Sequence, residues 1–221
     1  DGDCVLGQQC ERGDVLMLAL EDNERRLQDR FRRITGGGDF PDNLDYATVT
    51  LFGGDGGTGK SLLALQLAVA VAAGTGWIGR GVTEGGVIVL SAEDDDDELH
   101  RRLDDILRAE RRDYDDLQDL TLRSLAGESA LLAMESQIAL METELFRELS
   151  QRASEEHPAL IVLDTLADVY PANENDRAKV RQFVGILRGL ALKHQCAVVL
   201  LGHRPPRLRD EPFGRAADIL A

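Results

Sequence analysis

The stretch GGDGGTGKS (residues 53–61) decides how the rest of the chain is read. A β-like run, ATVTLF (47–52), leads into it, and helix-period residues continue over 61–73 until Gly74 stops them. Gly54, Gly59, Lys60 and Ser61 satisfy the pattern G-x-x-x-x-G-K-[ST]. Each part has a physical reason. Gly54, Gly56, Gly57 and Gly59 let the backbone curl so that successive N–H groups point at phosphate oxygens. Lys60 is placed to reach β- and γ-phosphates, and the Ser61 hydroxyl to ligate Mg²⁺. The helix that opens here adds the positive end of its dipole. Asp55, Thr58 and Leu62 complete the candidate nucleotide-contacting set. A glycine-rich turn that happens to precede a lysine is the bland alternative, and the strand before and apolar helix after argue against it.

Outward from this loop, β-like runs alternate with helical patterns, which predicts an α/β fold with a mainly parallel sheet and helices on both faces. GGVIVLSAED (85–94) reads as a strand, 98–111 as a charged amphipathic helix, and LTLRSL (120–125) as a strand. Over 130–152, Leu131, Met134, Ile138, Met141, Leu145 and Leu149 have the spacing of one helix face, so a single helix is expected there. ALIVLD (159–164) is a continuous apolar strand of the doubly buried kind, 176–194 repeats the helical signal, and AVVLLGH (197–203) is a last strand.

Strand ends supply the remaining candidates. Asp164 ends the apolar strand, where a carboxylate can hold the hydration shell of Mg²⁺ at the same sheet edge as the loop. Glu93 ends the second strand and is a candidate general base for an attacking water. The competing reading makes it the start of EDDDDE, a solvated helix beginning favoured by the dipole, and the later aspartates fit that reading better. His203, after the last strand, is a candidate γ-phosphate sensor. His100, His157 and His194 read as surface residues, and Cys196 as a buried thiol.

The first 46 residues do not fit this order. GDVLMLALEDNERRLQDRFRRI (13–34) matches GGVIVLSAEDDDDELHRRLDDI (85–106) at a constant offset of 72. Gly13, Val15, Leu18, Glu21, Asp22, Leu27, Arg30 and Ile34 meet identical residues in the second copy, which points to a partial internal duplication. The expected domains are therefore a strand–helix appendage over 1–46 and a core over 47–221.

Forty acidic residues against 25 basic ones give a net charge of −15, so the average surface field repels DNA and anionic lipid. Any nucleic-acid contact needs a local basic patch. The longest apolar run, 62–73, is shorter than the roughly 20 residues of a membrane span. The three cysteines lack metal-ligand spacing and suit a reducing cytoplasm.

Three blocks resemble, in order and spacing, the AAA-family ATPases related to the plasmid RepA replicative helicase. They are GGDGGTGKSLLALQLAVAVAAGTGWIGR, VIVLSAEDDDDELHRRL and LIVLDTLADVYPANENDRAKVRQFVGILRGLA. The resemblance covers about 47–203. It implies a RecA-like core, ATP hydrolysis, and a hexameric ring of identical subunits moving on single-stranded DNA. By position it makes Lys60 and Ser61 the phosphate-loop residues, Glu93 the catalytic glutamate, Asp164 the Walker B residue and His203 the γ-phosphate contact. Two departures accompany it. Residues 11–48 resemble the family segment that follows the loop helix yet precede the loop here, and the chain stops soon after the sensor strand, as a C-terminally truncated core would. Arg204, Arg207, Arg209 and Arg215 are the nearby candidates for an arginine finger. Two alternatives stay open: a nucleotide-dependent regulatory module with little turnover, and a composite core without native motor activity.

Overall fold

The structure is a computed structural model that describes residues 4–5, 8–9, 15–17, 44–46, 49–137, 139–171 and 176–203. The chain divides into two units, Asp1–Thr48 and Val49–Ala221. In the first unit β1 (Cys4–Val5) pairs antiparallel with β2 (Gln8–Gln9), and β3 (Val15–Met17) pairs parallel with β4 (Leu44–Tyr46). The strand half of the repeat therefore has a counterpart in β3. Its helix half, with Glu21, lies outside the described residues, as do Arg204, Arg207, Arg209 and Arg215.

The second unit runs β5 (Val49–Gly54), α1 (Lys60–Ala72), β6 (Val87–Ser91), α2 (Asp96–Glu110), a short 3₁₀ turn (Tyr114–Leu117) and β7 (Leu120–Ser124). It continues with β8 (Ala133–Glu135), β9 (Leu140–Glu142), α3 (Glu144–Glu156), β10 (Leu160–Asp164), α4 (Leu166–Val169), α5 (Arg177–His194) and β11 (Ala197–His203). Five strands form one sheet in the order β5-β11-β10-β6-β7, and every pairing is parallel. Each crossover returns the chain to the same starting edge, so all the carboxyl ends gather at the other.

Burial follows from that layering. Every residue of β6 and β10 is buried, because helices cover both faces of the sheet centre. Alternate residues serve the two faces. Val87, Val89, Leu160 and Val162 join a core with Ala64, Leu65, Ala68, Leu103 and Ile106 of α1 and α2. Ile88 and Leu90 instead lie beside Leu145 and Leu149 of α3. Alanine dominates the second half of α1, and 68–72 are all buried there, which lets the helix sit close on the sheet.

The expected single helix over 130–152 is replaced by the antiparallel β8–β9 hairpin followed by α3. The helical spacing in this stretch is coincidental. Met134 and Met141 pair across the hairpin and are 50% and 53% exposed, whereas Leu132, Ala133 and Phe146, off the supposed stripe, are buried. Leu149 is the stripe residue that is buried among those described, and it lies on α3. Thr143 marks the real start of the helix. Its hydroxyl accepts the Phe146 N–H at 3.2 Å and donates to the Leu131 carbonyl at 2.7 Å. Smaller differences are local. The strand expected at 85–94 is confined to Val87–Ser91, and α2 begins at Asp96 because Asp95 caps it, accepting the Glu98 N–H at 2.9 Å. His194 is half-buried rather than a surface residue, its Nε2 lying 3.1 Å from Ser150 Oγ. Cys196 is buried, and burial pushes its thiol up to about 11. Among the described residues no helix is long and apolar enough to cross a membrane.

Phe183 on α5 is 1% exposed and lies 5.2 Å, ring to ring, from Tyr170. Replacing it with Ala is expected to cost about 3–5 kcal/mol in urea denaturation. Met141→Ser is expected to change stability by less than about 0.5 kcal/mol, the opposite of what a core helix position would give.

Candidate active site

The loop between β5 and α1 is built by its glycines. Gly57 and Gly59 have φ of 72° and 80°, and no atom comes within 4 Å of where a Cβ would sit. The demand there is for left-handed backbone rather than for space. Thr58 closes the turn by donating its hydroxyl to the Asp55 carbonyl at 2.8 Å. Lys60 folds back over the loop, its Nζ donating to the Gly54 carbonyl at 3.1 Å and to the Asp55 carbonyl at 2.9 Å. The first turn of α1 has neither a side-chain cap nor an acidic residue. Its N–H groups and dipole therefore carry an uncompensated positive potential beside the lysine. Leu62, one position beyond Ser61, is 40% exposed.

Across from the loop, Asp164 ends β10 level with Ser91 of β6. It shares the sheet face of Leu160 and Val162, which is the face covered by α1. Asp164 is 4% exposed, and its Oδ1 has no hydrogen-bond partner. Burial pushes the carboxyl up to about 6, against a hydrogen bond from Ser61 that lowers it, with the charges of Glu93 and Asp94 pushing further upward. Ser61 and Asp164 are thus brought together, and both line a small cleft with Ser91, Asp94 and Arg102. Glu93 is exposed at the mouth of this edge and acts on Asp164 through its charge. His203 ends β11 opposite Gly54 in the sheet register, which places its backbone beside the start of the loop.

Sequence reading missed two residues here. Asp94 belongs to the site edge rather than to a solvated acidic run, because its carboxylate pairs with the Arg102 guanidinium from α2. Burial raises the Asp94 carboxyl while Arg102 opposes that rise. Arg102 also binds Glu98 at 2.7 Å, and hydrogen bonds from Arg101 and Arg102 bring the Glu98 carboxyl down to about 2. The signal was present in the repeat, since Asp22 and Arg30 keep the same identities and spacing.

A buried carboxylate bonded by a hydroxyl from the first turn of a helix, with a lysine in that same turn, can hold a phosphate chain and a hard cation. A family model described as an AAA domain matches residues 40–205, three quarters of the chain. The chain therefore belongs to this family of P-loop ATPases.

The raised Asp164 carboxyl contributes to the pH dependence of stability of the protein without divalent cations. Because its folded value lies above its unfolded one, the folded state holds the extra proton, and stability falls as pH rises from about 4 to about 6. Asp164→Asn is expected to remove that fall and to stabilise the protein by about 2–3 kcal/mol at pH 8. Urea titrations across this range make the measurement.

Proposed function

We propose that this AAA-domain chain is a magnesium-dependent ATPase of the RepA-like motor class. One observation carries the reading: Ser61, in the same bare first turn of α1 as Lys60, hydrogen-bonds the buried Asp164 carboxylate, whose Oδ1 has no partner. In this reading the N–H groups of 54–61 cradle the β- and γ-phosphates, and Lys60 exchanges its loop carbonyls for phosphate oxygens. The donor set fits a magnesium ion, since the Ser61 hydroxyl and the Asp164 carboxylate are hard oxygen ligands and one carboxylate oxygen is unpartnered. When bound, the ion neutralises negative charge on the phosphate oxygens. Glu93 orients the attacking water and takes its proton, and His203 senses the γ-phosphate.

The motor part of the proposal adds a ring of identical subunits acting on single-stranded DNA. Its support is the order and spacing of the three sequence blocks. The net charge of −15 favours the second reading, a nucleotide-binding regulatory module with slow turnover, because such a surface does not attract nucleic acid by itself.

The two readings separate in an ATPase assay run with and without single-stranded DNA. Lys60→Ala is expected to abolish Mg-ATP binding. Glu93→Gln is expected to keep binding and lower kcat at least about 100-fold, within the range general-base catalysis supplies. Turnover indifferent to Glu93→Gln would establish the binding module, and turnover indifferent to DNA would remove the motor.

A further inference from the structure

Only one residue separates Ala92 from Asp94, and both of them are tied down. The Ala92 N–H donates to the Asp164 carbonyl at 2.6 Å, joining the end of β6 to the end of β10. The Asp94 N–H donates to Ser91 Oγ at 3.2 Å, and the Asp94 carbonyl accepts the Ser124 hydroxyl from β7 at 2.9 Å. The Asp94 carboxylate takes the Arg102 guanidinium. The segment is thereby held by three elements at once, and the residue in the middle is Glu93.

An ordinary helix-surface ion pair would explain Arg102 with Glu98, four residues apart on one helix face. It does not explain Asp94, which precedes the Asp95 cap and lies eight residues from Arg102. The pair is also well shielded, with the two side chains 26% and 13% exposed, so it keeps more strength than a solvated bridge. The internal repeat conserves the same unit. Glu21, Asp22 and Arg30 stand at the spacing of Glu93, Asp94 and Arg102 while most surrounding polar residues differ.

We propose that Arg102, through Asp94 and with Ser124, is a positioning residue for the Glu93 carboxylate, fixing it relative to Asp164. This rests on the reading of Glu93 as the general base. The strap sets where the base stands and contributes nothing to phosphate binding, so its loss lowers kcat without weakening nucleotide affinity. Misplacement of a reacting group by about 1 Å costs up to about 100-fold in rate, which bounds the effect.

The test uses the whole chain with Mg-ATP, measuring kcat, KM and the Kd of a non-hydrolysable ATP analogue. Arg102→Ala is expected to lower kcat about 10- to 100-fold with Kd changed less than about twofold, and Arg102→Lys to restore part of the loss. Ser124→Ala is expected to lower kcat in the same sense by a smaller factor, and it serves where Arg102→Ala does not fold. In a Glu93→Gln background neither substitution is expected to lower the residual rate further, because there is no base left to position. Full additivity with Glu93→Gln, an equal loss in Kd, or unchanged kcat in both strap variants overturns the proposal while leaving Glu93 as base. Unchanged turnover in Glu93→Gln itself overturns the base reading, and the strap with it.

Discussion

Parallel pairing of five strands is the constraint from which the rest of the molecule follows. It forces a long crossover after every strand, even between the spatial neighbours β6 and β7 or β10 and β11, and each crossover packs against the sheet. It also gathers the ends of β5, β6, β7, β10 and β11 on one edge. Groups far apart in the chain, such as Ser61, Glu93 and Asp164, meet there without any local sequence relation. Because both faces of β6 and β10 are covered, a polar residue at their ends stands at the boundary between a dry interior and water. Asp164 is on the dry side of that boundary and Glu93 on the wet side.

That boundary shapes the electrostatics. Three carboxylates, Glu93, Asp94 and Asp164, share the edge, and their mutual repulsion adds to the cost of burying Asp164. The compensation is distributed: Arg102 on Asp94, the Ser61 hydroxyl on Asp164, and the uncapped start of α1 with Lys60 nearby. A region of concentrated negative charge facing one of concentrated positive potential suits a ligand that brings both signs, such as a polyphosphate with a divalent cation.

What was legible in the sequence was whatever the backbone alone imposes. The glycine loop at 54–61, the apolar strands and the α/β alternation are local patterns, and each appears in the structure within a few residues of its expected bounds. The hairpin at 133–142 was not legible, because six apolar residues matched a helical period while two of them, Met134 and Met141, face solvent. Periodicity records spacing and is blind to which neighbour covers a side chain. The Asp94–Arg102 pair was hidden for a related reason. In a run of acidic residues nothing local marks the one whose partner arrives two helical turns later, and only the repeat at 13–34 singled it out.

The second half of α1 has no free side, since 68–72 are buried all round among strands and α2. A close-packed interior deforms little, so this helix gives the glycine loop at its start a rigid seat. The loop that it carries is thereby anchored in the core rather than hung from a surface element. The same tight seating narrows the mutational latitude of the helix. A single extra methylene at Ala68 or Ala70, both fully enclosed, would have to push the helix off its seat and carry the phosphate loop with it.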